Sequence, residues 1–251
     1  MPFSHINKLK KYGKYPRYYL ENNLSQCCLT NYDNNKIAVC MWYDKAIEVY
    51  ADIAKKINKR YCDNRGYDFI FSNTRNLPNR HPSWECISLL LNVLKTGKYN
   101  YVMWIDADAC FNFKSTNTIE NIIKQNKDKD IIFSGDDPNY PHININMGVI
   151  LLKNTKYSID FCKKIINSHN IEKCVNYYNK PLWEQECVNY LYDKNNENIQ
   201  KSSVIIPFKI LQTFPIRYNK QVENAIIAHY AGEDKNTRIL ELNKILSDIN
   251  N

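Results

Sequence analysis

Tyr101-Val102-Met103-Trp104-Ile105-Asp106-Ala107-Asp108 is the stretch on which the reading of the fold turns. Five apolar residues, a strand's length, run directly into two carboxylates placed two residues apart. Outward from it the pattern alternates. Lys36–Tyr43 and Gly66–Ser72 read as strands before it, and 130–134, 147–152, 203–207 and 225–230 as strands after it. Between them apolar residues recur at helical spacing over 44–60, with Asp44 as N-cap, and over 83–96, with Ser83 as N-cap and Gly97 as stop. Further helices are expected over 117–127, 158–167, 182–192 and 241–249. The expectation is an α/β fold with a mostly parallel central sheet flanked by helices, residues 36–251 forming one domain. In such sheets ligands sit beyond the carboxyl ends of the strands, so the residues just after each strand matter most.

Composition narrows the classes. The chain has 251 residues, 34 Lys and Arg against 26 Asp and Glu for a net charge of +8, with 44% hydrophobic and 24% charged residues. These are values of a folded globular protein and exclude disorder, collagen and coiled coil. The longest apolar runs, such as Val149–Leu152, fall far short of the ~20 residues that span a bilayer. No apolar segment follows the basic N-terminal residues. The reading is a protein without a transmembrane anchor or signal peptide, placed in the cytoplasm. Nine cysteines include no C-x-x-C pair, so a structural zinc site is not expected. Cys40, Cys86, Cys162 and Cys187 lie in apolar-periodic segments and read as small hydrophobes in a reducing compartment.

The charge is concentrated at one end. Lys8, Lys10, Lys11, Lys14 and Arg17 are interleaved with Tyr12, Tyr15, Tyr18 and Tyr19, with no acid before Glu21, which leaves about +3 for the rest. Residues 1–35 are therefore read as a basic, aromatic arm, and the alternative reading of the chain is a non-enzymatic polyanion-binding module.

Asp106 and Asp108 follow a buried strand, where carboxylates are costly unless something compensates. A divalent cation compensates well, since carboxylate oxygens suit Mg²⁺ or Mn²⁺ and such an ion can clamp a diphosphate. The small Ala107 lets a ligand approach the backbone. The competing reading is a capping turn. Among enzymes, an aspartyl-phosphate phosphatase places this motif near the start of its fold, whereas three elements precede it here. A nucleotidyltransferase carries a Gly-rich loop after its first strand, and Trp42-Tyr43-Asp44-Lys45 has no Gly. Later in the chain, His229, Gly232 and Lys235 form H-x-x-G-x-x-K after an apolar run. An imidazole there can complete a metal site begun by carboxylates, with Gly232 permitting a tight turn and Lys235 offering charge to a phosphate.

At these residues the chain resembles the GT-A glycosyltransferases, and in particular the galactosyl- and xylosyltransferase family 34 of fungal mannan and plant xyloglucan enzymes. Six ordered segments carry the resemblance across roughly 36–240: 58–67, His81-Pro82-Ser83-Trp84, Trp104–Ala109, Asn146–Asp160, Glu184-Gln185 and His229-x-x-Gly232. Cys86 stands where that family has a basic residue. The resemblance implies a single-domain, Rossmann-like GT-A fold and retaining transfer of a hexose or pentose from a nucleotide sugar, of the UDP type, with Mn²⁺ (Mg²⁺ second). It implies Asp108 and His229 as direct metal ligands and Asp106 at the metal or the ribose. Lys235 would meet the diphosphate, Met41 and Tyr43 the base, and Trp84, Ala107 and Gly232 the rest of the donor. Asp136, Asp137 and Gln185 are the catalytic candidates for the opposite face of the sugar; Gly-Asp-Asp-Pro at 135–138 also suits a plain turn. Partners are then a nucleotide-sugar donor and a glycan, protein or lipid acceptor, without nucleic acid. Pro138–Asn146, with Tyr140 and His142, is the expected acceptor rim.

Overall fold

A computed structural model describes residues 35–139, 144–218 and 224–250 of the chain. The basic arm up to residue 34 and Tyr140 and His142 of the expected acceptor rim lie outside the described residues. The first half contains β1 (Ile37–Trp42), α1 (Glu48–Arg65), β2 (Asp68–Ser72), α2 (Glu85–Lys95), β3 (Tyr101–Ile105), β4 (Ala109–Phe111), α3 (Ile119–Gln125) and β5 (Ile131–Gly135). The second half contains β6 (Ile145–Lys153), α4 (Lys156–Ile166), α5 (Glu172–Asn176), α6 (Trp183–Asp193), α7 (Ile199–Ser202), β7 (Ser203–Ile206), β8 (Gln212–Thr213), β9 (Ile227–His229) and α8 (Lys235–Asn250).

The central sheet has the order β2-β1-β3-β6-β5-β7. All its strands run the same way except β6, which is antiparallel to both β3 and β5. The reversed strand brings its own N-terminal end alongside the carboxyl ends of β3 and β5. The continuous apolar runs have a simple cause: β1 and β3 are buried along their whole length. Alternate residues Ala38, Cys40, Trp42, Val102 and Trp104 join the core beneath α2, α4 and α6. Their neighbours Ile37, Val39, Met41, Met103 and Ile105 are buried as well. Strands covered on both faces leave no polar alternation in the sequence. A second, three-stranded sheet has the order β4-β9-β8.

Helix ends depart from expectation where a different side chain wins the cap. Asp44 accepts from the Ala46 N–H at 2.9 Å within a turn, so α1 starts only at Glu48, without a side-chain cap. Before α2, the His81 imidazole rather than Ser83 supplies the acceptor, taking the Ser83 N–H at the head of a 3₁₀ turn over Pro82–Trp84. The last helix begins at Lys235 rather than Glu241, because the Asp234 carboxylate accepts from Asn236 and Thr237 N–H at 2.8 and 3.1 Å. No helix among the described residues is long and apolar enough to cross a membrane.

The reading of Cys187 as a free, reduced thiol is corrected. It is disulfide-bonded to Cys174, with a Cα–Cα separation of 4.5 Å across 13 residues of sequence. The bond ties the short α5 to α6, a juxtaposition that no C-x-x-C spacing announces. Cys40, Cys62, Cys86, Cys110 and Cys162 are free and buried. Closing a loop of this size limits the unfolded chain and contributes about 3 kcal/mol. Cys174→Ser is accordingly expected to lower the unfolding free energy by about that amount in denaturant titration, and a wild-type sample kept under strong reductant should match it.

Candidate active site

The site begins where the sheet register breaks. Phe133 of β5 pairs with Ile150 of β6, but the next residue, Ser134, pairs with Asn146, so the register skips 147–149. Such bulges re-aim groups beside functional sites. The released backbone finds other partners. The Met147 N–H donates to Gln185 Oε1 at 2.9 Å, and the Gly148 N–H to Asn146 Oδ1 at 2.9 Å. The Gly148 carbonyl accepts from the Asp106 N–H at 2.9 Å, which stitches the acidic turn to β6.

From Asp106 the chain makes a turn closed by the Ala109 N–H on the Asp106 carbonyl at 3.0 Å. It then enters β4, antiparallel to β9 with Ala109 opposite His229. The Tyr230 N–H bonds the Asp108 carbonyl at 2.9 Å. Asn58, fully buried on α1, serves β4 from the other side: its amide donates to the Ala109 carbonyl and its carbonyl accepts from the Phe111 N–H, both at 2.9 Å. This register brings together Asp108 and His229, 121 residues apart. Ligand atoms of Asp106, Asp108 and His229 all lie within 4.8 Å of one another. His229 Nε2 is 3.2 Å from Asp108 Oδ1 and 3.7 Å from Asp106 Oδ2, and its Nδ1 is 3.0 Å from Gln212 Oε1. Two carboxylates and one imidazole form a donor set that fits a divalent cation.

Gly148 makes room for this histidine. A Cβ there would lie 2.2 Å from His229 Cε1 and 2.8 Å from Nδ1. The need is for close approach and not for an unusual backbone. Neither this role nor that of Asn58 carries a sequence signal beyond the segments already singled out.

The two carboxylates differ in charge environment. Burial pushes Asp108 up, but the His229 imidazole and the Arg238 guanidinium, 2.8 Å from its Oδ2, outweigh it and hold it below the ordinary carboxylate range. Asp106 is raised, by burial first and then by the neighbouring Asp108, against the pull of His229. Burial alone would lower His229, but Asp108 and Asp106 hold it above the usual imidazole value. The three therefore favour one shared positive charge at their centre, a role that a cation fills as well as a proton.

The remaining expected residues fall into two groups. Asp136 and Gln185 belong to one network: Gln185 Nε2 and Asn146 Nδ2 both donate to Asp136 Oδ2, at 3.2 and 3.3 Å. Burial raises the Asp136 carboxyl. Ala107 lies in the acidic turn itself, nearly covered at 7% exposure. Asp137 turns elsewhere, accepting from the Tyr218 hydroxyl at 2.5 Å and the Asn139 N–H at 2.9 Å, with Arg217 at 3.9 Å. Gly232 has φ +76° and sits against Arg217, whose guanidinium leaves no room for a Cβ. Lys235 is exposed on the first turn of α8, and the cation at the acidic pair is Arg238, one turn later and unforeseen in the sequence. Met41 and Trp84 are fully buried core residues, and the Tyr43 hydroxyl is occupied by Asp52.

Glu184, whose pairing with Gln185 the sequence exposes, is 7% exposed, and its Oε2 has no hydrogen-bond partner among the described residues. Burial, and after it the Asp106 charge, raise its carboxyl to about 7, against a hydrogen bond from Ser83.

No protein-family model and no curated sequence matches the chain. Among solved structures it is similar to a glycosyltransferase involved in the glycosylation of the major capsid of PBCV-1, at 16% identity over 83% of this chain and 99% of that one, with a TM-score of 0.69. It is also similar to the galactosyltransferase LgtC in complex with donor and acceptor sugar analogs, at 14% identity over 83% and 95% of the two chains, with a TM-score of 0.49. For the glycosyltransferase GlyE of Streptococcus pneumoniae TIGR4 the values are 15%, 86%, 64% and 0.48. The first likeness establishes the fold, a mostly parallel α/β sheet shared with that glycosyltransferase.

Two outcomes follow from the site. Gly148→Ala is expected to displace His229 and weaken Mn²⁺ binding on the order of 10- to 100-fold, the scale of disturbed ligand positioning, as read by calorimetry. Glu184 has a folded value near 7 against an ordinary 4.5, so the folded state keeps a proton that the unfolded state loses. Its contribution is complete below pH 4.5 and is lost as the pH rises through about 7. Glu184→Gln should therefore match wild type at pH 4.5 and exceed it by up to ~3 kcal/mol at pH 8 in paired denaturant titrations.

Proposed function

We propose that this protein is a metal-dependent glycosyltransferase that moves a hexose or pentose from a nucleotide-diphosphate sugar, of the UDP type, to a hydroxyl of a glycan, protein or lipid, with retention of configuration. The observation that carries the proposal is the convergence of Asp106, Asp108 and His229 past the carboxyl end of β3, on a fold shared with a glycosyltransferase. The narrower placement beside family 34 rests on its six ordered motifs.

Asp108 and His229 would hold the ion, with Asp106 beside them or on the ribose. Mn²⁺ bound there, or Mg²⁺ in its place, supplies Lewis-acid stabilisation of charge on the departing diphosphate. Lys235 would add positive charge for the diphosphate, with Gly232 at φ +76° allowing the tight turn before it. On the other side Asp136 would be the carboxylate that meets positive charge on the sugar ring. Gln185 and Asn146 orient it by their hydrogen bonds to Oδ2. Asp137, tied to Tyr218 and Asn139, shapes the turn after β5, and its N–H donates to Asp136 Oδ1 at 2.7 Å.

The test is nucleotide release and transfer from a panel of nucleotide sugars, with Mn²⁺ and with EDTA. One donor should turn over slowly without an acceptor, and EDTA should stop it. Asp108→Ala should reduce the rate on the order of 100-fold or more, the scale seen when a charge-stabilising group is removed. Turnover indifferent to both EDTA and Asp108→Ala, or release of inorganic phosphate in place of the nucleotide, would sink the proposal.

A further inference from the structure

Each carboxylate of the acidic pair has one oxygen already engaged. The Trp104 indole N–H donates to Asp106 Oδ1 at 2.7 Å. Arg238 lies 2.8 Å from Asp108 Oδ2. The two other oxygens, Asp106 Oδ2 and Asp108 Oδ1, are the ones that approach His229 Nε2. The imidazole is held one-sidedly too, with Gln212 on Nδ1. Three residues thus present one ligand atom each.

Both restraining groups are anchored. Trp104 is 4% exposed on the buried β3. Arg238 donates through Nε to the Tyr230 carbonyl at 3.2 Å and through Nη1 to the Tyr50 hydroxyl at 3.3 Å. Its guanidinium also lies 5.0 Å from the Tyr50 ring centroid, over the ring. A planar guanidinium fixed by two hydrogen bonds and a ring contact holds its Nη2 in a set direction, which a lysine ammonium cannot do. Tyr50 of α1 and Tyr230, the residue after β9, therefore both act through Arg238 of α8 on one oxygen of Asp108.

We infer that Trp104 and Arg238 set the metal preference of the site by restricting Asp106 and Asp108 to one oxygen each, so that Mn²⁺ and Mg²⁺ are accepted and Ca²⁺ is disfavoured. The inference rests on the proposed metal site. Ca²⁺ gathers roughly six to eight oxygens and commonly takes carboxylates through both of theirs, whereas Mg²⁺ holds about six ligands in tight octahedral geometry and keeps several waters. A carboxylate whose second oxygen is bonded to an N–H serves the smaller ions without loss. To serve Ca²⁺ through both oxygens it must break a hydrogen bond, a charge-assisted one at Asp108. Both groups are positioning residues, since each acts through a carboxylate.

The experiment titrates the full-length, metal-free chain with MnCl₂ and CaCl₂ by calorimetry, with free Mn²⁺ counted by electron paramagnetic resonance, for wild type, Arg238→Met, Arg238→Lys and Trp104→Phe. Thermal unfolding of each variant identifies those that remain folded. Wild type should bind Mn²⁺ more tightly than Ca²⁺. Arg238→Met and Trp104→Phe should each narrow that ratio by about 10-fold, the scale of changes around metal ligands, and Arg238→Lys by less. An unchanged Mn²⁺/Ca²⁺ ratio in the folded variants would overturn the inference while leaving the metal site standing. Absence of Mn²⁺ binding by wild type would instead overturn the metal site and the inference with it.

Discussion

The bond from the Tyr230 N–H to the Asp108 carbonyl sets the register of β4 against β9. Because side chains alternate faces along a strand, a slip of one residue would carry His229 to the other side of the ribbon. The pairing is short, three residues on each strand, and could not hold alone. It is held from outside: Asn58 bonds the free edge of β4 from α1, and β8 pairs with the far side of β9. A buried amide satisfying both a donor and an acceptor of a strand edge stands in for a missing neighbour. The acidic turn is therefore clamped between two sheets, with Gly148 of the large one and His229 of the small one in close contact.

That closeness costs the fold something. Gathering two carboxylates, an imidazole and a guanidinium, of which Asp106 alone keeps substantial contact with water, is favourable only while each is paired. Arg238, His229 and Trp104 provide the pairing. Glu184 is less well provided for and titrates upward as a result. The chain entering α6 is also strained, with Leu182 at φ 75° and Trp183 at φ 39°, both unusual for side-chain-bearing residues. Strain of this kind persists where the surroundings over-determine it. Here the Cys174–Cys187 bond, the Gln185 bond to Met147 and the Asn189 bonds to Asn144 and Ile145 hold α6 in place.

The central sheet was legible because its signals are long and redundant. Fully buried strands make unbroken apolar runs, and the helices between them are long enough to show their period. The caps were misread where the expected residue was spent on a turn before the helix, as at Asp44, or where a neighbour took its place, as His81 did for Ser83. β4 and β8, of three and two residues, are too short to carry any period, so the second sheet was not visible. Asp106, Asp108 and His229 were found because carboxylates after a buried strand and a histidine after another are chemically anomalous. Arg238 was not, since an arginine within a helix is ordinary until its partner is known.

The sequence by itself determined the α/β class and the order of the main strands, and it singled out the residues of the candidate metal site, because burial and charge are written residue by residue. Only the tertiary structure decided which oxygen of each carboxylate faces His229, that Gly148 must lack a side chain, and that Cys174 meets Cys187. These facts depend on contacts between segments far apart in the chain or on angles within a few ångströms. Neither periodicity nor spacing encodes them, because they exist only once the two sheets and α8 have closed around the acidic turn.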